Sequence, residues 1–436
     1  MKSSTNPPLR TLLAVTAALV VTAACGGGGG GGAGPADTPV TLAPGAANIV
    51  ATWYDAAAAT INVPGAATGT PEEQRPTLSV DMATVHVAIY DAVVAVVGGH
   101  QPFAATPSGS AAGASVDAAA SAAAYEVLRA LFPNRAAQYQ SVYDAALAKI
   151  ADGDAKTRGL QVGKEVAVKI VALRANDGRS VQLAPYVPGT APGKFRGSNP
   201  INRFLPPMKP FVLTSAAEFR PPGPPSLMSS AYANDVNETK VMAGTASTAR
   251  SAQQTEIAQF HTEPPPPFQT RNYRVFASSR STVADNARLA AQMWVAVADA
   301  TQACFEAKYH YEAWRPTSAI TLADTDGNAA TEPDAAWTPH VATPNHPEYP
   351  AAHSCVAGAI SETLARHFGT RRVAFSFNSN VTGTTHAYES VDAFISESSV
   401  ARIWGGMHFR TSTEHGAALG KNVASKVADL KFRPAN

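Results

Sequence analysis

Three short segments in the last third of the chain carry basic and imidazole side chains at spacings that could serve one reaction. Lys308 and Arg315 lie in the first segment, His353 in the second, and Arg402 and His408 in the third. Cations can hold a tetrahedral or trigonal-bipyramidal oxyanion, and imidazoles can move protons to and from it near neutral pH. These residues therefore predict binding and turnover of an oxyanion.

The sequence around the first two segments suggests how their side chains could converge. Lys308 and Arg315 are seven residues apart, which on one continuous helix would return them to nearly the same face. His353 follows Ala351 and Ala352, at the start of a predicted helix. Backbone N–H groups at a helix start favour an anion, and small side chains let that backbone come close.

The third segment needs a turn to bring its two side chains together. Arg402 and His408 are six residues apart, so on one helix they would diverge by about 120°. Gly405 and Gly406 lie between them and predict a helix break. The break would let the chain turn back and direct both side chains to one point.

Taken together, the segments resemble the signature of the vanadium haloperoxidases and the related type 2 phosphatidic-acid phosphatases. That signature is Lys-x6-Arg-Pro, then Pro-Ser-Gly-His, then Arg-x5-His, and this chain matches its spacing at each functional position. Longer stretches, such as residues 85–92 and 287–320, resemble the secreted bacterial branch of the haloperoxidases. The resemblance covers about residues 46–433 and implies an all-α fold of paired helical bundles.

The resemblance also implies a role for each site residue. His408 would bind vanadium through a ring nitrogen, and His353 would be the acid–base residue. The other ligands of the oxyanion would be three cations and one backbone N–H group: Lys308, Arg315, Arg402 and Ala352. With vanadate as cofactor, hydrogen peroxide would oxidise a halide, which would then halogenate a small organic substrate.

Several positions depart from the family pattern. Ala351 replaces the family's Ser, which removes a charge-assisted hydrogen bond worth ~1.5–3 kcal/mol to the oxyanion. Ser412 stands where the family often has Asp, with Glu414 nearby, so the partner that orients His408 is left open. His346 lies seven residues before His353, where bromoperoxidases carry His, and this favours bromide over chloride.

Two other functions compete with the haloperoxidase. An acid phosphatase of the same fold would use His408 as the nucleophile toward a phosphate ester, with His353 protonating the leaving group. A non-catalytic lipoprotein that binds an oxyanion is the third possibility, motivated by Ala351. The long body without further predicted membrane spans favours the haloperoxidase, because lipid phosphatases of this superfamily are usually integral.

The N-terminus predicts export. Lys2 and Arg10 precede the apolar run of residues 11–24, which ends at Cys25, as in a lipoprotein signal peptide over residues 1–25. An ordinary secretory signal with a chance Cys is the alternative. Residues 26–45 predict a flexible Gly-rich tether. We expect a cell-envelope lipoprotein, periplasmic or anchored to the outer membrane, or a secreted protein, with membrane contact only through the lipid.

The remaining chain, residues 46–433, predicts one all-α domain with the oxyanion site in residues 299–415. The net charge of +1 argues against a nucleic-acid partner. Residues 181–225 are rich in proline and lack periodicity, and a second group of prolines follows at 264–267. Such a long irregular excursion predicts a functional or surface-wrapping segment. Whether Cys304 and Cys355 pair is left open.

Overall fold

The computed structural model describes residues 38–61 and 64–435. The predicted signal peptide, its lipidation site Cys25 and most of the predicted tether lie outside these residues. Val40 and Thr41, at the end of the segment predicted as a tether, form a strand that pairs with Val373 and Ala374.

Helices dominate the part of the chain that the structure describes, which confirms the predicted all-α fold class. The helices are α1 (Ile49–Ile61), α2 (Pro71–Gln74), α3 (Leu78–Val97), α4 (Val116–Leu131), α5 (Ala136–Leu147), α6 (Asp154–Arg174), α7 (Ser230–Ala243), α8 (Ala252–Phe260), α9 (Pro265–Asn272), α10 (Val283–Tyr311), α11 (Pro316–Thr321), α12 (Ala352–Phe368), α13 (Val391–Trp404) and α14 (Arg410–Leu430). Short 3-10 turns at Pro133–Arg135, Tyr273–Ala277 and Ala323–Thr325 connect some of them.

One small sheet, which the sequence did not predict, accompanies the helices. Its strands are β1 (Val40–Thr41), β2 (Val373–Asn378) and β3 (Thr385–Tyr388). β2 lies in the centre, parallel to β1 and antiparallel to β3, with Phe375 opposite Tyr388. The side chains of β2 alternate between buried and more exposed positions, so one face of the sheet packs on the core.

Two apolar helices form the centre of the molecule. Every residue from Ser79 to Val94 of α3 and from Leu289 to Ala300 of α10 is buried, and the two helices pack on each other. A helix that is apolar on all sides needs such an enclosed position. Within residues 38–61 and 64–435, α3 is also the one helix long and apolar enough to cross a membrane, but most of it is buried in protein.

Helices α12 and α14 position the site, and glycines let them approach closely. A Cβ atom added at Gly420 would lie 2.0 Å from the carbonyl oxygen of Cys355, and one at Gly358 would lie 2.3 Å from that of Ala417. Side chains at these positions would therefore push the helices apart. The close contact fixes the start of α12 beside the start of α14, where Ala351 N–H donates to the carbonyl of Ser412.

The long proline-rich excursion is tied to α10 by one buried carboxylate. Asp299 accepts hydrogen bonds from the backbone N–H groups of Phe211, Val212 and Leu213 at 2.7–3.1 Å. Burial still raises the pKa of Asp299, to about 6. The carboxylate satisfies backbone donors that an irregular segment cannot pair within itself.

One local expectation from the sequence is wrong: Lys308 and Arg315 do not share a helix. α10 ends at Tyr311, because Glu312 adopts a left-handed conformation with φ 52° and its N–H closes on the carbonyl of Lys308. Arg315 is extended, with φ −82° and ψ 158°, as expected of a residue before proline. The two cations therefore reach the site from different backbone segments.

Candidate active site

His408 is held in a defined orientation at the turn between α13 and α14. Gly406 has φ 81°, which ends α13, and the N–H groups of Met407 and His408 fold back onto the carbonyl of Arg402. The predicted Gly-Gly break is confirmed. His408 is almost completely buried, and its Nδ1 lies 2.9 Å from Glu348 Oε1.

Glu348, which belongs to none of the three motifs, is the partner that orients His408. Its Oε1 also accepts the backbone N–H of Phe409 at 3.1 Å, so it acts as an acceptor and His408 Nδ1 carries the hydrogen. Nε2 is then left with its lone pair. Ser412, which stands where the family often has Asp, has its Oγ 3.5 Å from the same Nδ1. Two prolines keep the segment of Glu348 extended, but nothing in the local sequence places it against a residue 60 positions away.

Arg315 joins the two imidazoles of the site. Its Nη1 lies 3.2 Å from His408 Nε2 and donates to the carbonyl of Met407 at 2.7 Å. Its Nε donates to the carbonyl of His346, and its Nη2 lies 3.0 Å from the Nδ1 of the His346 ring. The guanidinium is thereby fixed beside the unprotonated Nε2 of His408, which accepts a hydrogen bond from Nη1.

Arg402 approaches from the last turn of α13. The side chain is buried, and its Nη1 donates to the carbonyl of His261 at 2.8 Å. Its Nη2 contacts the sulfur of Met407, while Nε is buried with no hydrogen-bond partner among the described residues. A buried guanidinium donor without a partner is costly, so this atom is available to an anion.

Lys308 lies under the loop that carries Glu348. Its ammonium donates to the carbonyl oxygens of Pro347, Glu348 and Pro350. An ammonium has three hydrogens, so these bonds use all of its donors. Lys308 therefore supports the loop and supplies positive charge beside it. A direct contact between Lys308 and an oxyanion stays a prediction.

His353 occupies the first turn of α12, as predicted. The helix begins at Ala352 without a side-chain cap, because Ala351 at the N-cap has no hydroxyl or carboxylate to offer. N–H groups of a first turn have no partner inside their own helix. The start of α12 thus offers free donors and a positive dipole end beside His353 and Ala352.

A cavity of about 480 Å³ brings most of these residues together. The predicted site residues that line it are Ala352, His353, His346, Arg402 and His408. Lys308 and Arg315 do not line it and lie behind this wall. Arg315 still contacts two of the lining residues, His346 and His408. The structure therefore brings six of the seven predicted residues to one place, and Lys308 lies beneath the loop of Glu348.

The charges of the site are not balanced within the protein. Burial lowers the pKa of Lys308 to about 8, that of Arg402 to about 9 and that of Arg315 to about 10. Within the described residues none of the three cations has an ion pair, and Glu348 contacts His408 instead. Burial also raises the pKa of Glu348, to about 7. A bound anion would compensate the excess positive charge.

The same environment keeps the imidazoles neutral. Burial, followed by Arg402 and His261, lowers the pKa of His353 well below its usual value of 6.5. Burial, followed by Arg315 and Lys308, does the same to the pKa of His408. A neutral ring with Nδ1–H held by a carboxylate can act as a ligand or a nucleophile through Nε2.

A second group of ionisable residues, which the sequence did not predict, extends from the cavity wall into the protein. His261 lines the cavity, and its Nε2 is 3.0 Å from Glu397 Oε1. The same oxygen lies 2.8 Å from Nδ1 of His386, whose Nε2 lies 3.0 Å from Glu256. These residues come from distant segments without a shared motif, so only the fold reveals the group.

Cys304 and Cys355, the cysteines within residues 38–61 and 64–435, are buried and unpaired. Cys304 on α10 and Cys355 on α12 are both free, and the sulfur of Cys304 contacts the carbonyl of Pro350. The pairing that the sequence left open is therefore not formed in the structure.

Comparison with known proteins agrees with this architecture. Residues 288–436 match the family model described as the VCPO second helical-bundle domain. The chain is similar to the solved structure of a bacterial vanadium-dependent iodoperoxidase, with a TM-score of 0.66, 22% identity, and coverage of 89% of this chain and 96% of that one. It is also similar to a holo-type bacterial vanadium-dependent chloroperoxidase, with a TM-score of 0.64, 15% identity, and coverage of 89% and 98%. No curated protein matches the chain. The family model confirms the resemblance over residues 288–436, which contain all three motifs, and the solved structures confirm the fold that the resemblance implied.

Proposed function

We propose that this chain, with its haloperoxidase-type C-terminal bundle, is a vanadate-dependent haloperoxidase that oxidises a halide with hydrogen peroxide. The observation that carries the proposal is the buried Arg315 guanidinium beside His408 Nε2, with Arg402 buried at the same cavity and Lys308 buried beneath the loop of Glu348. Buried cations without ion-pair partners fit an oxyanion, and a neutral imidazole nitrogen fits a metal centre in that oxyanion.

The chain's own residues supply binding and proton transfer. His408 would hold vanadate through Nε2, while Arg315, Arg402 and the N–H of Ala352 would receive its oxygens. Bound vanadate would supply the Lewis acidity that activates peroxide toward a halide. Glu348 keeps the His408 ring in place through Nδ1–H. His353, neutral and at the cavity wall, would take a proton from peroxide and return it to the departing oxygen.

For the halide we propose bromide, with His346 at its site. The His346 ring lines the cavity, lies 5.2 Å from the Phe305 ring and contacts the Arg315 guanidinium. An apolar ring edge next to a fixed cation suits a large, weakly hydrated anion. Iodide is more easily oxidised than bromide, so it should also react, which fits the similarity to an iodoperoxidase. Chloride should react least.

The proposal is tested by reconstitution. The purified protein would be freed of oxyanions and assayed for bromide oxidation with hydrogen peroxide, with and without orthovanadate, and for hydrolysis of p-nitrophenyl phosphate. Bromide oxidation that appears only with orthovanadate supports the proposal. Phosphate-ester hydrolysis without bromide oxidation would support the phosphatase of the same fold. Binding of orthovanadate without either activity would support an oxyanion-binding protein.

We further propose that the protein is exported and anchored by a lipid on Cys25. The apolar run that ends in small residues before this cysteine supports the proposal. Cys25→Ser should convert a detergent-extracted protein into a soluble one. A wild-type protein that is already soluble without detergent would contradict the lipid anchor.

A further inference from the structure

The cavity that holds the site is much larger than peroxide and a halide require. Besides His353 and His408, its lining contains many apolar side chains, which together form what we call the apolar wall. That wall includes Phe204, Leu205, Phe268, Phe305, Val356 and Phe394. A cavity of about 480 Å³ falls within the range of about 300–1,000 Å³ that small-molecule sites occupy.

Half of this wall comes from the two proline-rich segments: Phe204 and Leu205 belong to the long excursion, and Phe268 belongs to α9, which begins at Pro265. Residues 201–205 of the long excursion, residues 265–268 and α12 lie far apart along the chain, yet all three segments contribute residues to the cavity lining. The excursion is fixed to the site loop, because Ile201 N–H donates to the carbonyl of Asn345 and Asn345 Nδ2 donates to that of Ser198. These bonds hold the excursion against the loop that precedes His346.

The apolar wall is poorly suited to water or ions. An ordered water needs about three hydrogen bonds, and aromatic and aliphatic side chains offer none. Burial of an apolar molecule against such a wall is favoured by about 25 cal/mol for each Å² removed from water. The bound molecule would lie next to the residues proposed to generate the oxidised halide.

We propose that this apolar cavity binds a neutral aromatic molecule of two or three rings, and that halogenation takes place on this bound substrate. This inference rests on the proposed haloperoxidase function. The oxidant is the hypobromous acid formed from bromide and peroxide. The ring carbon attacks bromine, the carbon–bromine bond forms as the oxygen–bromine bond breaks, and the ring proton leaves with the hydroxide as water.

Binding can be tested without catalysis. The probe is 2-naphthol, titrated calorimetrically into the full-length protein. Val356→Trp places a large side chain in the cavity one turn after His353, and Leu205→Trp does so from the proline-rich excursion. Val168→Trp is the matched control, because Val168 is 70% exposed on α6. Both cavity variants should weaken binding by about tenfold or more, and the control should match the wild type. Equal binding in all four proteins would overturn the proposal, and thermal unfolding would identify a variant that fails to fold.

Selectivity tests where the halogenation occurs. Wild-type protein with orthovanadate, peroxide and bromide would receive equal amounts of 2-naphthol and of a phenol attached to dextran, which cannot enter the cavity. The ratio of the two bromination rates is compared with the ratio that added hypobromous acid gives. We expect the protein to favour 2-naphthol by about tenfold or more over that reference, and Val356→Trp to lose this preference. A ratio equal to the reference would mean that the oxidant diffuses away before it reacts.

The two proposals fail in distinguishable ways. Bromide oxidation without an organic substrate, followed as tribromide, reports on the haloperoxidase alone. Its absence would refute the proposed function. Its presence, together with unselective bromination, would refute only the substrate cavity.

Discussion

At the scale of single residues, the decisive feature is the different environment of the two nitrogens of His408. Nδ1 donates to Glu348 and Nε2 faces Arg315, so the ring is both oriented and left with a reactive lone pair. The motifs gave His408 itself, because its distance from Arg402 along the chain is local information. The motifs could not give Glu348, because that contact joins two loops that meet only in the folded chain.

The first prediction concerns this orienting carboxylate. Glu348→Ala should weaken orthovanadate binding by about 10–100-fold, the usual effect of removing a group that orients a metal-binding histidine. Glu348→Gln keeps an acceptor for Nδ1–H and should lose less. Isothermal titration calorimetry measures both. Wild-type affinity in Glu348→Ala would show that the ring needs no such partner.

The second prediction concerns the protonation of His353. Its pKa lies well below 6.5, because burial and the nearby cations disfavour the charged ring. The neutral base therefore persists as the pH falls below 6.5, and kcat/KM for bromide should decline only in more acidic solution. His353→Ala should retain orthovanadate binding but oxidise bromide about 10²–10⁴-fold more slowly. If kcat/KM of the wild type already fell to half its maximum at pH 6.5 or above, the assignment of neutral His353 as the base would be contradicted.

At the scale of elements, helices with clear start and stop signals were predictable and irregular segments were not. Ser115 caps α4 and Pro133 follows its end, and the structure gives the helix as Val116–Leu131. The excursion between α6 and α7 has no periodic pattern, so its path depends on distant contacts such as the Asp299 carboxylate. The sequence indicated that this segment had a role, but the fold was needed to place it on the cavity.

The third prediction tests how the excursion is held. Asp299→Ala would leave three backbone N–H groups without their acceptor, and the free energy of unfolding should fall by about 3 kcal/mol or more. Asp429→Ala is the control, because this side chain is 59% exposed and its pair with Arg366 is worth less than about 1 kcal/mol. Urea unfolding measures both. Equal losses in the two variants would contradict the role of Asp299.

At the scale of the whole molecule, apolar helices enclose a site that carries an excess of positive charge. α3 and α10 form the centre, and close packing of α12 and α14 sets the start of one helix beside that of the other. A chain of 436 residues, 45% of them hydrophobic, is long and apolar enough to form such a core. The composition could not predict that cations from separate segments would be buried without ion-pair partners, since that depends on how the loops meet.

The measurement that tests the central claim most directly is a titration of the oxyanion-free protein with orthovanadate, followed as bromide oxidation with hydrogen peroxide. We predict that activity rises from the background to a plateau at about one vanadate per chain, as one His408 ligand requires. In His408→Ala, bromide oxidation should not rise when orthovanadate is added at about one equivalent per chain. A wild-type protein that stays inactive, or a His408→Ala variant that gains activity like the wild type, would contradict the account.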